Sequence, residues 1–77
     1  ILFLFLYLAS SLIASVNINT ADEKELMTLK GIGEAKAKAI IEYRKKNKGF
    51  HKPEDLMIVK GIGPKMYETI KNDVTVK

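Results

Sequence analysis

Apolar residues follow three different patterns along the chain. Residues 1–8 are apolar without interruption. Val16–Asn19 alternates apolar and polar residues, which predicts a short extended segment. From Ala21 onward, apolar residues recur every three or four positions, which is typical of helices that bury one face. The pattern predicts an apolar N-terminal segment over residues 1–15 and a helical domain over residues 16–77.

Four short helices are predicted inside the helical domain. They span about residues 21–28, 34–47 and 53–58, and the fourth begins at residue 64 and leaves a frayed tail at 73–77. The first begins with a capping box, in which the side chains of Thr20 and Glu23 each bind the backbone N–H of the other residue. Gly49 fits the left-handed position beyond the second helix. Pro53 and Pro64 fit the first positions of the third and fourth helices.

The helices have distinct buried and solvated faces. Phe50 is expected to fill the core between the helices. The inward positions of the fourth helix are Met66, Tyr67, Ile70 and Val74. Charged residues spaced four apart on the second helix are predicted to face solvent, and they are Glu34, Lys38, Glu42 and Lys46.

The sequence repeats itself after thirty residues. Lys30-Gly31-Ile32-Gly33 returns as Lys60-Gly61-Ile62-Gly63, and Leu26 and Ile40 return as Leu56 and Ile70. A period in this range indicates a repeated supersecondary unit. The unit is a helix, a tight glycine turn and a second helix. The predicted fold class is therefore all-α, with four short helices in two pseudo-symmetric hairpins.

Composition restricts the possible functions. The chain has 77 residues, no cysteine and one histidine, which excludes disulfides and a zinc site built from the usual nitrogen and sulfur ligands. Thirteen basic and nine acidic residues give a formal net charge of +4, and residues 1–21 carry none of these charges. This basic excess favours a polyanionic partner but does not by itself show one. No nucleophile–base pair and no acidic metal cluster is found, so we expect no enzyme activity, no cofactor and no small-molecule substrate.

The N-terminal segment has the layout of a secretory signal peptide. Its apolar run is followed by small residues, among them Ala9, Ser11 and Ala14. An uncleaved membrane anchor is the alternative, but about 20 apolar residues are needed to span a bilayer and this run is shorter. The signal peptide is favoured. The protein is therefore predicted to be exported to the periplasm or another extracytoplasmic location, and to be membrane-anchored if the segment stays uncleaved.

The repeated turn has the chemistry of an anion site. Glycine allows a positive φ and lets another backbone approach closely. A turn that leads directly into a helix leaves unpaired N–H groups at the positive end of the helix dipole. Two phosphate sites are therefore predicted, one around Gly31 and Gly33 and one around Gly61 and Gly63. The lysines expected to add charge to these sites are Lys30, Lys36, Lys60 and Lys65.

Two such sites, related by an internal pseudo-twofold axis, suit a polymer with regularly spaced phosphates, and double-stranded DNA is the predicted partner. Contacts to phosphates position a protein without reading bases. No helix carries a set of Arg, Asn or Gln residues for base edges, and the sole arginine, Arg44, is expected at most near an adjacent phosphate. The alternative is an ordinary tight turn between helices, in which Ile32 and Ile62 are core residues.

The residues around the first turn resemble the helix-hairpin-helix pattern of DNA-binding proteins. Leu29–Ala37 fits the pattern apolar-x-Gly-apolar-Gly-x-x-x-Ala. Two copies in one small domain are similar to the tandem helix-hairpin-helix domain. The lead-in Val16–Ala21, the run Ile40–Arg44 and the segment Gly49–Leu56 resemble more specifically the ComEA-type competence proteins.

That resemblance implies an exported protein that binds double-stranded DNA without sequence preference during natural transformation, with the DNA-uptake machinery at the membrane as a further partner. It also implies phosphate binding by the residues of both turns, which are Gly31, Ile32, Gly33, Gly61, Ile62 and Gly63. Tyr67 replaces the small residue that Ala37 supplies in the first copy, so the second copy is expected to pack differently. A protein-interaction or dimerisation module and a DNA-repair-associated binding domain stay open as alternatives, although the export segment argues against repair.

Overall fold

The computed structural model describes residues 15–77. Its elements in chain order are β1 Val16–Asn17, α1 Glu23–Leu26, α2 Glu34–Lys46, a 3₁₀ helix Pro53–Ile58, α3 Pro64–Ile70, a 3₁₀ turn Lys71–Asp73 and β2 Val74–Thr75. The predicted all-α class is confirmed, with a two-residue strand at each end of the domain. None of the helices in the described part has the length and apolarity needed to cross a bilayer. The predicted signal or anchor segment lies outside the described residues except for Ser15, and its boundary stays a prediction.

Two hairpins share one core. The first hairpin consists of α1 and α2, and the second consists of the 3₁₀ helix Pro53–Ile58 and α3. Buried positions recur thirty residues apart, in the pairs Leu26 and Leu56, Leu29 and Val59, Ile32 and Ile62, Ala37 and Tyr67, and Ile40 and Ile70. Each fully buried aliphatic side chain stabilises the fold by about 1.5–3 kcal/mol. The repeat seen in the sequence is therefore the repeat of the core.

Tyr67 takes the core position that Ala37 holds in the first hairpin. The Tyr67 side chain is only 8% exposed, and Ala37 is fully buried. Burial of the ring, with a smaller effect of the Glu54 carboxylate, raises the pKa of the Tyr67 phenol above its ordinary value. The second hairpin thus accommodates the larger residue inside the shared core.

The start of α1 differs from the prediction. The capping residue is Asp22 and not Thr20, since the Asp22 carboxylate accepts the N–H of Glu25 at 2.8 Å. The Glu25 carboxylate accepts the N–H of Asp22 at 3.0 Å, which completes the capping box. The N–H groups of Thr20 and Ala21 are already bound to the Asn17 carbonyl, at 3.1 and 2.8 Å. Because of that turn, α1 begins at Glu23 and not at residue 21. It ends at Leu26, so it is shorter than the predicted span of residues 21–28.

The predicted fraying of the tail is wrong. Val74–Thr75 forms a parallel strand pair with Val16–Asn17, in the register Val16 to Val74 and Asn17 to Thr75. The Ile18 N–H extends the pairing by donating to the Thr75 carbonyl at 3.0 Å. Val74 is buried, as expected of an inward residue, but it belongs to this strand and not to the fourth helix. The lead-in and the tail therefore stabilise each other.

Asn19 joins three segments that are distant in sequence. Its Oδ1 accepts the Phe50 N–H at 2.6 Å, and its Nδ2 donates to the Phe50 carbonyl at 3.0 Å and to the Lys77 carbonyl at 3.2 Å. Phe50 is buried, as predicted, and its ring stacks on Tyr43 with 4.8 Å between ring centroids. One amide side chain thus holds the lead-in, the connector between the hairpins and the tail together.

The end of α2 lies close to the predicted place, but the left-handed backbone begins one residue early. The helix ends at Lys46 with Asn47 as its C-terminal cap. Lys48 follows with a φ of 57°, and Gly49 has a φ of 98°. The Gly49 N–H donates to the Arg44 carbonyl at 2.8 Å, which is the hydrogen bond of a Schellman motif.

Candidate nucleic-acid interface

The two repeated turns have the same backbone geometry. In the first turn, Lys30–Gly33, the Ile32 N–H donates to the Leu29 carbonyl at 3.0 Å and Gly31 has a φ of 82°. In the second turn, Lys60–Gly63, the Ile62 N–H donates to the Val59 carbonyl at 3.0 Å and Gly61 has a φ of 94°. The hydrogen bonds close the four-residue β-turns Leu29–Ile32 and Val59–Ile62, and a positive φ at the third residue of each makes it a type II turn. The first glycine of each turn is therefore required by the backbone.

The isoleucine of each turn faces the core. Ile32 is 3% exposed and Ile62 is 2% exposed. Their N–H groups close the turns and are not free for a ligand. This geometry agrees with the core role that the residues alone allowed for Ile32 and Ile62. Any phosphate contact by the turns falls to the glycines and to the amides that follow them, and it stays a prediction.

The second glycine of each turn is not required by the fold. Gly33 and Gly63 precede α2 and α3 with φ values of −97° and −99°, which any residue can adopt. A methyl group added at either glycine would meet no atom within 4 Å. Both residues are exposed. Glycine at these two positions leaves the surface over the start of each helix open.

The N–H groups next to this open surface have no hydrogen-bond partner in the described part of the chain. Among residues 15–77, no hydrogen bond is made by the N–H groups of Gly33, Glu34 and Ala35 at the start of α2. The same holds for Gly63 and Lys65 at the start of α3, and Pro64 between them has no N–H. Free amides at the positive end of a helix attract anions. The thirteen-residue α2 has the longer run of such donors, and the seven-residue α3 has the shorter.

The predicted lysines are placed in two different ways. Lys30, Lys60 and Lys65 are exposed beside their own turns. Lys36 is half-buried, and its stem lies over the opposite turn, because a methyl group at Gly61 would lie 3.6 Å from its Cγ and 3.7 Å from its Cε. Lys36, predicted to add charge to the turn before its own helix, therefore lies beside the turn of the other hairpin.

The expected solvated face of α2 is present. Lys38 and Glu34 form an ion pair with 3.1 Å between Nζ and Oε2, and both side chains are largely exposed. The hydrogen bond and the charge of the Glu34 carboxylate raise the pKa of the Lys38 ammonium above its ordinary value. An exposed pair of this kind adds little to stability. Its consequence here is that Lys38 is already paired with an anion beside the first turn.

Arg44 makes a structural contact, and any contact with an adjacent phosphate stays a prediction. Its Nη1 donates to the Ile18 carbonyl at 3.0 Å in a partly buried place. The guanidinium therefore holds the lead-in against α2. Among residues 15–77, no group of three or more His, Cys, Asp or Glu side chains is arranged to hold a metal ion.

The two glycine positions in each turn are expected to differ in how much an alanine substitution lowers the free energy of unfolding. Gly31→Ala and Gly61→Ala should each lower the free energy of unfolding by about 1–2 kcal/mol, the cost of left-handed backbone for a residue with a Cβ. Gly33→Ala and Gly63→Ala should cost less, at most about 1 kcal/mol, because alanine is a poorer N-cap residue than glycine. Urea unfolding followed by circular dichroism measures all four variants. Equal losses at the two kinds of position would contradict the type II geometry.

The sequence model of the helix-hairpin-helix motif matches residues 12–75, and the chain belongs to this family. The chain is 52% identical over 64 residues to ComE operon protein 1 of Bacillus subtilis (strain 168). This match covers 83% of this chain and 31% of that protein. It is 49% identical over 61 residues to the human endonuclease/exonuclease/phosphatase family domain-containing protein 1. This match covers 79% of this chain and 11% of that protein. An uncharacterized protein of Haemophilus influenzae is 49% identical over 49 residues, which is 62% of this chain and 44% of that protein. The chain thus corresponds to a minor part of each of these longer relatives.

Sequence reasoning missed the residues that join the hairpins. Asn19 gave no signal, because its partners lie 31 and 58 residues away. The placement of Lys36 over Gly61 was also missed. A signal did exist, since Lys36 and Met66 occupy equivalent positions three residues after the second glycine of each turn.

Proposed function

We propose that this protein binds double-stranded DNA without reading its sequence, by contacting phosphates at the two Gly-Ile-Gly turns. The observation that carries the proposal is the open surface at Gly33 and Gly63. Neither backbone strain nor packing requires glycine there, yet both copies have it, next to free N–H groups. A bare backbone at this point lets a bulky polyanion approach within hydrogen-bond distance.

Duplex DNA fits the arrangement better than a single small anion. The two turns have the same type of backbone geometry and belong to one shared core, which suits two phosphates of the same polymer. The exposed Lys30, Lys60 and Lys65 supply additional positive charge beside the turns. The only arginine, Arg44, is engaged with Ile18, and no other described feature supplies a base-reading helix. Contacts of this kind fix the protein on the backbone and carry no sequence information.

The biological role that we propose is DNA uptake during natural transformation. Support comes from the similarity to ComE operon protein 1 and from the residues that resemble the ComEA-type competence proteins. In this role the protein is exported, binds incoming duplex in the periplasm or outside the cytoplasmic membrane, and works beside the uptake machinery. It is membrane-anchored if the N-terminal apolar segment is retained.

We propose a binding role and not a catalytic one. The relatives whose name includes an endonuclease/exonuclease/phosphatase family domain share only 11% of their length with this chain. The similarity therefore concerns one short segment of those proteins. The acidic residues near the first helix are engaged in its capping box, through Asp22 and Glu25.

The salt dependence of binding tests the proposal. If about four phosphates are neutralised, log K should fall with log salt with a slope near −3.6, so that affinity drops about 150-fold between 50 and 200 mM salt. Fluorescence anisotropy with several unrelated labelled duplexes measures this for residues 15–77. All duplexes should give the same affinity and slope. Binding that ignores salt, or that is absent at 50 mM salt, would overturn the proposal.

A protein-interaction module is the second candidate, and exposed apolar side chains favour it. Ile58 is 65% exposed, and Met27 and Met57, which are equivalent in the two hairpins, are 44% and 37% exposed. Self-association through these residues would appear in sedimentation velocity as a concentration-dependent dimer. A monomer at high concentration, together with salt-dependent DNA binding, supports the DNA-binding candidate instead.

A further inference from the structure

Each turn is covered by a side chain from the other hairpin. The stem of Lys36, on α2, lies against Gly61 of the second turn, with its Cγ and Cε 3.6 and 3.7 Å from the place of an added methyl group. Met66, on α3, lies against Gly31 of the first turn, with its Cε 3.3 Å from the corresponding place. Lys36 and Met66 are equivalent positions of the repeat. The helix that follows one turn thus closes over the other turn.

Lys36 and Met66 occupy equivalent positions, but only Lys36 carries a charge. Met66 brings an uncharged thioether to the first turn. Lys36 brings an ammonium group to the second turn, because Nζ is bonded to the Cε that lies beside Gly61. Both side chains are half-buried, so their stems are held in place by the surrounding atoms.

The charges around the two turns are also unequal. The first turn has the exposed Lys30, while Glu34 beside it is paired with Lys38. The second turn has the exposed Lys60 and Lys65, and it receives the ammonium of Lys36 as well. The first turn therefore has more free backbone donors, and the second has more positive charge.

We propose that Lys36 is a DNA-contacting residue of the second turn, although it belongs to the helix of the first. The inference rests on the proposed function and names one residue that supports it. A lysine whose stem is already packed loses less conformational freedom on binding phosphate than a fully solvated lysine does. The Lys36 stem lies near van der Waals distance from the position of a Cβ at Gly61, so the end of this side chain lies beside the second turn.

Exchanging the two covering residues tests the assignment. Lys36→Met places in the first helix the side chain that packs at the equivalent position of the second, and it removes the charge. Its salt slope should be smaller by about 0.9, which corresponds to an affinity about eightfold lower at 0.1 M salt. Met66→Lys adds a charge at the first turn, and its slope should be larger by about 0.9. Lys46→Met, at the exposed far end of α2, is the control with the same change in net charge and should leave the slope nearly unchanged.

Double variants locate the contact. If Lys36 acts at the second turn, Lys36→Met should cost little further affinity once Gly63→Val has blocked that turn, and should keep its eightfold effect beside Gly33→Val. If Lys36→Met instead costs little further affinity beside Gly33→Val and keeps its eightfold effect beside Gly63→Val, Lys36 acts at the first turn and the inference is overturned. A Lys36→Met protein that binds like Lys46→Met would overturn it as well. If the original protein shows no salt-dependent binding to the duplex probes, the proposed function itself fails, and the two failures are distinguished.

Discussion

Replacing both Gly33 and Gly63 by valine is expected to weaken binding to duplex DNA about 100-fold and to leave the domain folded. A side chain at these positions meets no protein atom within 4 Å, and both backbones are already extended, which suits a β-branched residue. The added bulk stands where the phosphate has to approach. Hydrogen bonds to charged groups are worth about 1.5–3 kcal/mol each, and a tenfold loss corresponds to about 1.4 kcal/mol. Loss of one such bond at each turn, taken at the lower end of this range, gives a loss of affinity of about 100-fold.

Anisotropy with unrelated duplexes and thermal unfolding should be measured on the same samples of the double valine variant. The affinity loss should be equal for every duplex, since phosphates and not bases are involved. Asn72→Val, an exposed uncharged position after α3, is the matched control and should bind as the original protein does. A folded double variant with unchanged affinity at low salt would contradict the role of the turns. Single variants then divide the loss between the first and second turns.

Replacing Asn19 by alanine is expected to destabilise the domain more than any other surface-accessible change named above. The substitution removes three hydrogen bonds, two with the Phe50 backbone and one with the Lys77 carbonyl. The Phe50 groups are partly buried, and unpaired buried polar groups cost about 1–3 kcal/mol. We expect a loss of about 2–3 kcal/mol. A domain of about 60 residues has a total stability of roughly 3–9 kcal/mol, so a large part of it would be lost.

Urea unfolding of the Asn19→Ala variant, monitored by circular dichroism, measures this loss. Asn47→Ala is the control, because Asn47 also donates from its side-chain amide, to the Tyr43 carbonyl at 2.9 Å, but in an exposed place. The control should lose less than about 1 kcal/mol. Equal stability of the two variants would show that Asn19 does not join the segments energetically. At temperatures where the Asn19 variant stays folded, its DNA affinity should be unchanged, because Asn19 touches neither turn.

The segments that sequence predicted well are those whose conformation depends on neighbours along the chain. The span of α2, the proline starts at Pro53 and Pro64, and the left-handed glycine of each turn all follow from local chemistry. The start of α1 shows where local chemistry was ambiguous. Thr20 with Glu23, and Asp22 with Glu25, both have the capping-box spacing. In the structure the Asn17 carbonyl accepts the N–H groups of Thr20 and Ala21, so these residues form a turn and the helix is capped by Asp22.

The candidate site was predicted in part for the same reason. The sequence identified both turns and their flanking lysines, because the repeat marks them directly. It gave no means to distinguish Gly31, which the backbone requires, from Gly33, which the backbone does not require. It also gave no sign that the Arg44 guanidinium donates to the Ile18 carbonyl and so joins the lead-in to α2. Such distinctions depend on which atoms approach each residue from elsewhere in the fold.

The sequence by itself determined the all-α class and the two Gly-Ile-Gly turns, because each is set by residues a few positions apart. It also showed the thirty-residue repeat directly, because the two copies match residue by residue. Tertiary structure decided that the tail pairs with the lead-in, that Asn19 joins three segments, and that Lys36 and Met66 cover each other's turns. These contacts link residues about 25 to 60 positions apart. Their geometry is fixed only when the shared core brings the two hairpins together, so no local pattern can specify them.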